Sequence, residues 1–241
     1  MQIRSRPAFG LVLVHSPLTG PGVWRLVADQ LVAARGYDVV TADLTATLRT
    51  GPPFFAHEVQ AVADCVSGSS AVLVGHSGAG SLLPAVGDVA AGVRGYVYVD
   101  AGLPTPGRSW MQTMPEDLVA YLRESADPQG WMPPWCDWWG EDGLAGLLPD
   151  PGLRAQFAAD CPRLPLAMFD EVHPDIRSDR GTPAAYLQLS EAYQDQAAKA
   201  RSTGWPVAAL SSHHLALLTD PQLIAGSLES LIGQLGNTGH T

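Results

Sequence analysis

The stretch 70–81, SAVLVGHSGAGS, constrains this chain more than any other. A short apolar run over 71–74 stops at Gly75, small residues flank Ser77, and 81–89 resumes with a helix-like apolar pattern. That order predicts a strand, a tight turn and a helix, with the Ser77 hydroxyl at the carboxyl end of the strand. Bulk at Gly75, Gly78 or Ala79 would clash where strand and helix nearly touch. A serine presented in this way is a candidate nucleophile. A hydroxyl is a poor nucleophile at neutral pH, so it needs a base, and the base needs an orienting carboxylate.

The surrounding pattern is one of alternation. The runs 9–15, 37–44 and 93–99 read as buried parallel strands. Helical spacing over 23–35 separates the first two, and a helix opened by Gly51-Pro52-Pro53 runs to about Val66. The alternation breaks over 105–180, which holds no convincing strand, many prolines and helical fragments at 115–124 and 151–160. Strands resume at 183–190 and 205–211 with a helix over 191–201 between them. A terminal helix spans 221–235, with Asp220 as its N-cap and Pro221 at its first position. The reading is an α/β fold, a mostly parallel sheet flanked by helices, built from residues 1–104 and 181–241. A helical lid of residues 105–180 is inserted before the last two strands.

Composition excludes several function classes. The net charge of −10, with Lys199 the only lysine, argues against nucleic acid and against an anionic membrane surface. No apolar run approaches membrane-spanning length, and the N-terminus lacks the apolar core of a signal peptide. Cys65, Cys136 and Cys161 lie far apart without C-x-x-C spacing, which reads as free thiols in a reducing, cytoplasmic compartment. No metal or cofactor is expected, since the glycines around Ser77 are explained by the turn and no His, Cys or acidic set has ligand spacing that closes a site.

The elbow around Ser77 resembles that of the α/β-hydrolase superfamily, whose G-x-S-x-G pattern is met here with Ala79 in the last place and Gly80 after it. The resemblance implies a Ser–acid–His triad in that chain order. Family members often place the histidine six residues before an Asp-Pro or Glu-Pro that starts the final helix. Counting back from Pro221, His214 takes that place in SSHHLALLTDP, and its neighbour His213 is structural or touches substrate. Most members carry the acid after the strand that follows the lid, here Glu191, with Asp195 a turn later. A minority, including many haloalkane dehalogenases, carry it one strand earlier, where Asp100 stands in YVDAGLP. A carboxylate closing so apolar a strand is costly unless paired with something such as an imidazole, and Asp100 is favoured.

The resemblance also implies an oxyanion hole of two backbone N–H donors. Gly78 supplies one. The residue that normally supplies the other is Pro17, which has no N–H, so Leu18 or Thr19 must replace it. His15 reads as a loop residue, His76 as pointing into the core or the lid interface, and Asp43 as a loop anchor. The groups His57 with Glu58, and His173 with Asp170 and Glu171, read as solvated surface. Trp131, Trp135, Trp138 and Trp139, four tryptophans in nine residues, are expected to line an apolar pocket facing Ser77. The whole reading is a cofactor-free serine hydrolase acting on a small hydrophobic ester, lactone or thioester. Its rivals are cyclisation or acyl transfer by the same triad, and a silent ligand-binding receptor. The oligomeric state is left open.

Overall fold

Strands that are apolar on both faces need helices on both sides. A computed structural model describes residues 8–66, 68, 70–175 and 181–235 of the chain. Along the first hundred residues β1 (Gly10–Val14), α1 (Arg25–Arg35), β2 (Val39–Ala42), α2 (Phe54–Val66), β3 (Ala71–His76), α3 (Leu83–Val89) and β4 (Val93–Val99) alternate. The next segment carries α4 (Glu116–Ser125), β5 (Trp131–Met132), α5 (Gly140–Leu147), α6 (Pro151–Asp160), β6 (Leu164–Pro165) and α7 (Leu166–Asp170). Then follow β7 (Ala184–Gln188), α8 (Gln194–Ser202), β8 (Val207–Ala209), α9 (Ala216–Thr219) and α10 (Pro221–Leu235).

Among the described residues six strands form one parallel sheet in the order β2-β1-β3-β4-β7-β8. Side chains alternate across it. Leu11, Leu13, Val72, Val74, Val97 and Val99 pack with α1, α9 and α10. Val12, Val14, Leu73, Tyr96 and Tyr98 pack with α2, α3 and α8 on the other face. The chain leaves β1 for β2 on one side and returns to β3 on the other. The connections therefore diverge above the carboxyl ends of β1 and β3, the crevice in which open α/β sheets bind ligands.

Two features differ from the sequence expectation. The segment after β4 does contain strands: β5 and β6 pair antiparallel, and Ser109 bridges Val172. Two-residue strands have no periodicity to detect, and their pairing joins residues more than thirty apart. The helix expected over 191–201 is split into a tight 3-10 turn, Glu191–Tyr193, and α8. The inserted segment is also not sealed off from the sheet. Cys136, Leu144, Leu148, Phe157 and Cys161 belong to the same core as α1 and α10, whereas Met111, Leu122, Met132 and Phe169 pack on Leu18 and Leu48. Among the described residues the cysteines are free and no helix is long and apolar enough to cross a membrane.

Candidate active site

Ser77 closes β3 in the left-handed region, φ 57°, a conformation that costs a non-glycine residue about 1–3 kcal/mol unless its surroundings enforce it. The enforcement is visible. Its carbonyl accepts from the Gly102 N–H at 3.1 Å, and a Cβ on Gly80 would lie 2.1 Å from the Gly102 oxygen. The turn after the serine and the loop after β4 thus approach as closely as backbones can, which only glycine at position 80 allows.

That second loop delivers Asp100, also left-handed at φ 43° and fully buried. Its Oδ1 accepts from the Leu189 and Ser190 amides at 2.8 and 3.0 Å. Its Oδ2 accepts from the Ser190 hydroxyl at 2.6 Å and from His214 Nδ1 at 2.8 Å. Burial pushes the carboxyl up, but the bonds from His214, Ser190 and Leu189 outweigh it and hold Asp100 below the usual carboxylate range. A carboxylate on Nδ1–H leaves Nε2 of His214 as the basic nitrogen. The competing acid, Glu191, is exposed at the start of its turn; the structure brings Asp100 and not Glu191 to the imidazole. His76 lies beneath. Its Nε2–H donates to the His214 carbonyl at 3.0 Å and its ring packs on the His214 ring at 4.5 Å. Burial, then the neighbouring His214, depress its pKa to about 3, so it stays neutral and acts as a support.

The loop after β1 is organised around Ser16. His15 donates from Nδ1 to the Ser16 carbonyl at 2.8 Å and accepts the Leu44 N–H on Nε2 at 3.0 Å, which defines a neutral tautomer and ties this loop to the end of β2. Asp43 next door anchors its own turn through the Thr45 amide and hydroxyl. Both expected replacements for Pro17 are engaged. The Leu18 amide donates to Ser16 Oγ at 3.3 Å, and the Thr19 amide donates to the Ser16 carbonyl at 2.9 Å. A proline after Ser16 folds the chain back on itself, so the following amides point at Ser16 instead of outward. Ser16 Oγ, however, lies against Gly78, only 3.0 Å from where a Cβ would be. Having accepted from Leu18, it keeps a hydroxyl proton with no acceptor among the described residues.

Tyr193 carries no sequence signal and is nonetheless at the centre. Its ring stacks on His214, 5.2 Å between centroids and 4° from parallel, and its hydroxyl is hydrogen-bonded to Ser77 Oγ at 3.3 Å. Ser77 Oγ is bonded to the phenol, and among the described residues no hydrogen bond joins it to the imidazole. His213 is tied to the hydroxyl of the exposed Thr219 at 3.1 Å.

A cavity opens at Gly78 and Ser81, and its walls correct two expectations. None of the four clustered tryptophans lines it. Trp135 meets the edge of His214 at 6.2 Å, Trp138 packs on Phe169, Trp131 sits in the β5–β6 pair and Trp139 is 56% exposed. Short irregular segments send neighbouring side chains in different directions, so closeness in sequence did not become a common wall. The tryptophan in the cavity is Trp110, stacked on Phe169 at 4.9 Å. Of the two groups expected on solvated surface, Glu58, Glu171 and His173 form the cavity's polar wall, whereas His57 bonds to the Thr50 hydroxyl and Asp170 pairs with Arg123 outside it. The signal for Glu58 was present: it falls in phase with Phe55, Val59 and Val62 on the buried stripe of α2. Among the described residues no group of three His, Cys, Asp or Glu is placed to hold a metal.

A model of the alpha/beta hydrolase family matches residues 11–227. The chain belongs to that family. This alpha/beta hydrolase is similar in fold to an extracellular alpha/beta-hydrolase from a Paenibacillus species, with 17% identity, coverage of 92% of this chain and 98% of the other, and a TM-score of 0.73. It is likewise similar to the pyrethroid hydrolase PytH (20% identity, 94% and 98% covered, TM-score 0.69). A polyneuridine aldehyde esterase variant is a third (17%, 92% and 98%, TM-score 0.71). At these identities the likeness is one of fold. No curated protein sequence matches the chain.

Proposed function

We propose that this alpha/beta hydrolase cleaves an ester, lactone or thioester of a small hydrophobic substrate through an acyl-enzyme. Ser77 Oγ attacks the carbonyl carbon, and His214 Nε2 takes the hydroxyl proton while Asp100 steadies the imidazolium. The oxyanion is met by the Gly78 N–H and, in place of the missing Pro17 amide, by the Ser16 hydroxyl. Collapse of the tetrahedral intermediate breaks the bond to the leaving oxygen or sulfur, which receives the proton from His214. Water, deprotonated by His214, then releases the acid and restores Ser77. Residues 105–180, of which 176–180 lie outside the described residues, act as the lid over this centre. The observation that carries the reading is the 2.8 Å Asp100–His214 pair beside a serine held left-handed at a strand end. An esterase and a pyrethroid hydrolase among the similar folds agree with the bond class.

The bond from Ser77 to Tyr193 favours a second reading, in which the same centre performs cyclisation or acyl transfer, or binds a ligand without turnover. Catalytic hydrogen bonds often form only in the substrate complex, so a change of serine rotamer toward Nε2 is part of the first reading. Labelling with a fluorophosphonate and peptide mass spectrometry decides between them. Rapid labelling at Ser77, absent in Ser77→Ala and strongly slowed in Asp100→Asn, is the expected result. A folded wild type that stays unlabelled overturns the hydrolase reading, and product analysis of cleaved esters separates hydrolysis from transfer.

A further inference from the structure

The triad leaves one buried ionisable group near Gly78 without a task. Glu58, on α2, is 2% exposed, lines the cavity, and has no hydrogen-bond partner for Oε1. Its neighbour Glu171 is well provided for, accepting the Phe54 and Phe55 amides at 2.7 and 3.1 Å at the start of α2. These two amides, at the positive end of the helix, satisfy both oxygens of the Glu171 carboxyl. Burial, then the Glu171 charge, push Glu58 well above the ordinary carboxyl range, toward the protonated acid whose O–H can donate. Glu171 and His173 are the other titratable groups in the cavity wall. His173 is depressed by burial and stacks on Phe55 at 4.4 Å, while Trp110, Met168, Phe169 and Pro17 bring no charge.

We propose that Glu58 is the polar anchor of the substrate cavity, donating a hydrogen bond to an oxygen acceptor on the substrate. The flat Trp110–Phe169 stack and the Phe55–His173 pair select a planar apolar group, so the ligand class is an aromatic or conjugated group bearing a neutral keto, amide or ether oxygen. An unmet donor in an apolar wall rejects a ligand that lacks the acceptor, because the acid then stays buried and unpaired. This inference rests on the serine-hydrolase reading for the ligand's being a substrate, not for its binding.

The test is binding of acetophenone against isopropylbenzene, its hydrocarbon counterpart of similar shape, with benzylammonium as the cationic comparator. Calorimetry on Ser77→Ala protein keeps turnover out of the measurement. Acetophenone is expected to bind about fivefold more tightly than isopropylbenzene at neutral pH. Glu58→Gln, which still offers N–H donors, keeps most of that preference, and Glu58→Leu loses it. The preference also fades as pH rises and Glu58 ionises. An unchanged preference in a Glu58→Leu protein with a normal circular dichroism spectrum overturns the inference. So does benzylammonium binding more tightly than acetophenone in a way that Glu58→Gln abolishes, since that is recognition by a carboxylate. If the preference holds while fluorophosphonate never labels the wild type, the hydrolase reading fails and the anchor stands. Normal labelling with no preference sinks the anchor alone.

Discussion

The strand end that carries Asp100 and the helix wall that carries Glu58 both bury a carboxyl, to 0% and 2% exposure, with opposite consequences. Asp100 sits where β4 ends beside β7, and two backbone amides, a hydroxyl and an imidazole converge on it. Glu58 sits mid-helix, where the backbone amides are already used within α2, and faces a cavity lined largely by apolar side chains. Burial raises both; only the first receives donors enough to reverse it. Burial by itself therefore does not set the charge of a carboxyl. The supply of donors does, and strand ends with their loops can supply them where a helix interior cannot.

The same chemical change at the two sites gives the largest contrast. Asp100→Asn is expected to lower kcat/KM for a cleaved ester by about 10³–10⁴-fold, because an amide cannot hold the reactive tautomer. Glu58→Gln is expected to cost only a few-fold, and steady-state kinetics showing equal losses would break the comparison. Next in size, Ser16→Ala should lower kcat by about 10–100-fold with little change in KM if its hydroxyl is the second oxyanion donor. Unaltered kcat would return that role to a rearranged backbone.

Stability against pH sharpens the contrast further. Asp100, held below its unfolded value, contributes stability above the ordinary aspartate range, and this is lost as pH falls through its lowered pKa. Glu58, held above its unfolded value, contributes with the reverse sign: fully below the ordinary glutamate range, and lost as pH rises through its raised pKa. In denaturant titrations Glu58→Gln should therefore gain on wild type as pH rises from acid through neutrality, and a constant difference would show that Glu58 is not protonated in the fold. The smallest effect is expected from Tyr193→Phe, a few-fold change in the labelling rate at Ser77. It reports whether the phenol restrains the serine or merely packs on His214.

Much of this site was legible because its parts are local. The small residues after β3, the run to Asp100 and the interval from His214 to Pro221 are each set within a dozen residues, and so is the backbone conformation they impose. Apolar runs of strand length likewise announced the order of the sheet's elements. The misses share a cause. Glu58 lies in phase with the apolar stripe of α2, but the wall it shares with Trp110, Phe169 and Glu171 is built from residues more than fifty positions away, so its helix alone does not show the cavity. Leu18 and Thr19 looked free because their amides are taken only when the loop folds back on Ser16. Tyr193 reached Ser77 through a 3-10 turn that no helical spacing foretold. Sequence alone determined the backbone devices, since φ, turn and strand follow from neighbouring residues. Tertiary structure alone decided which polar groups would be left unpaired, since solvent exclusion and donor supply depend on segments far apart in the chain.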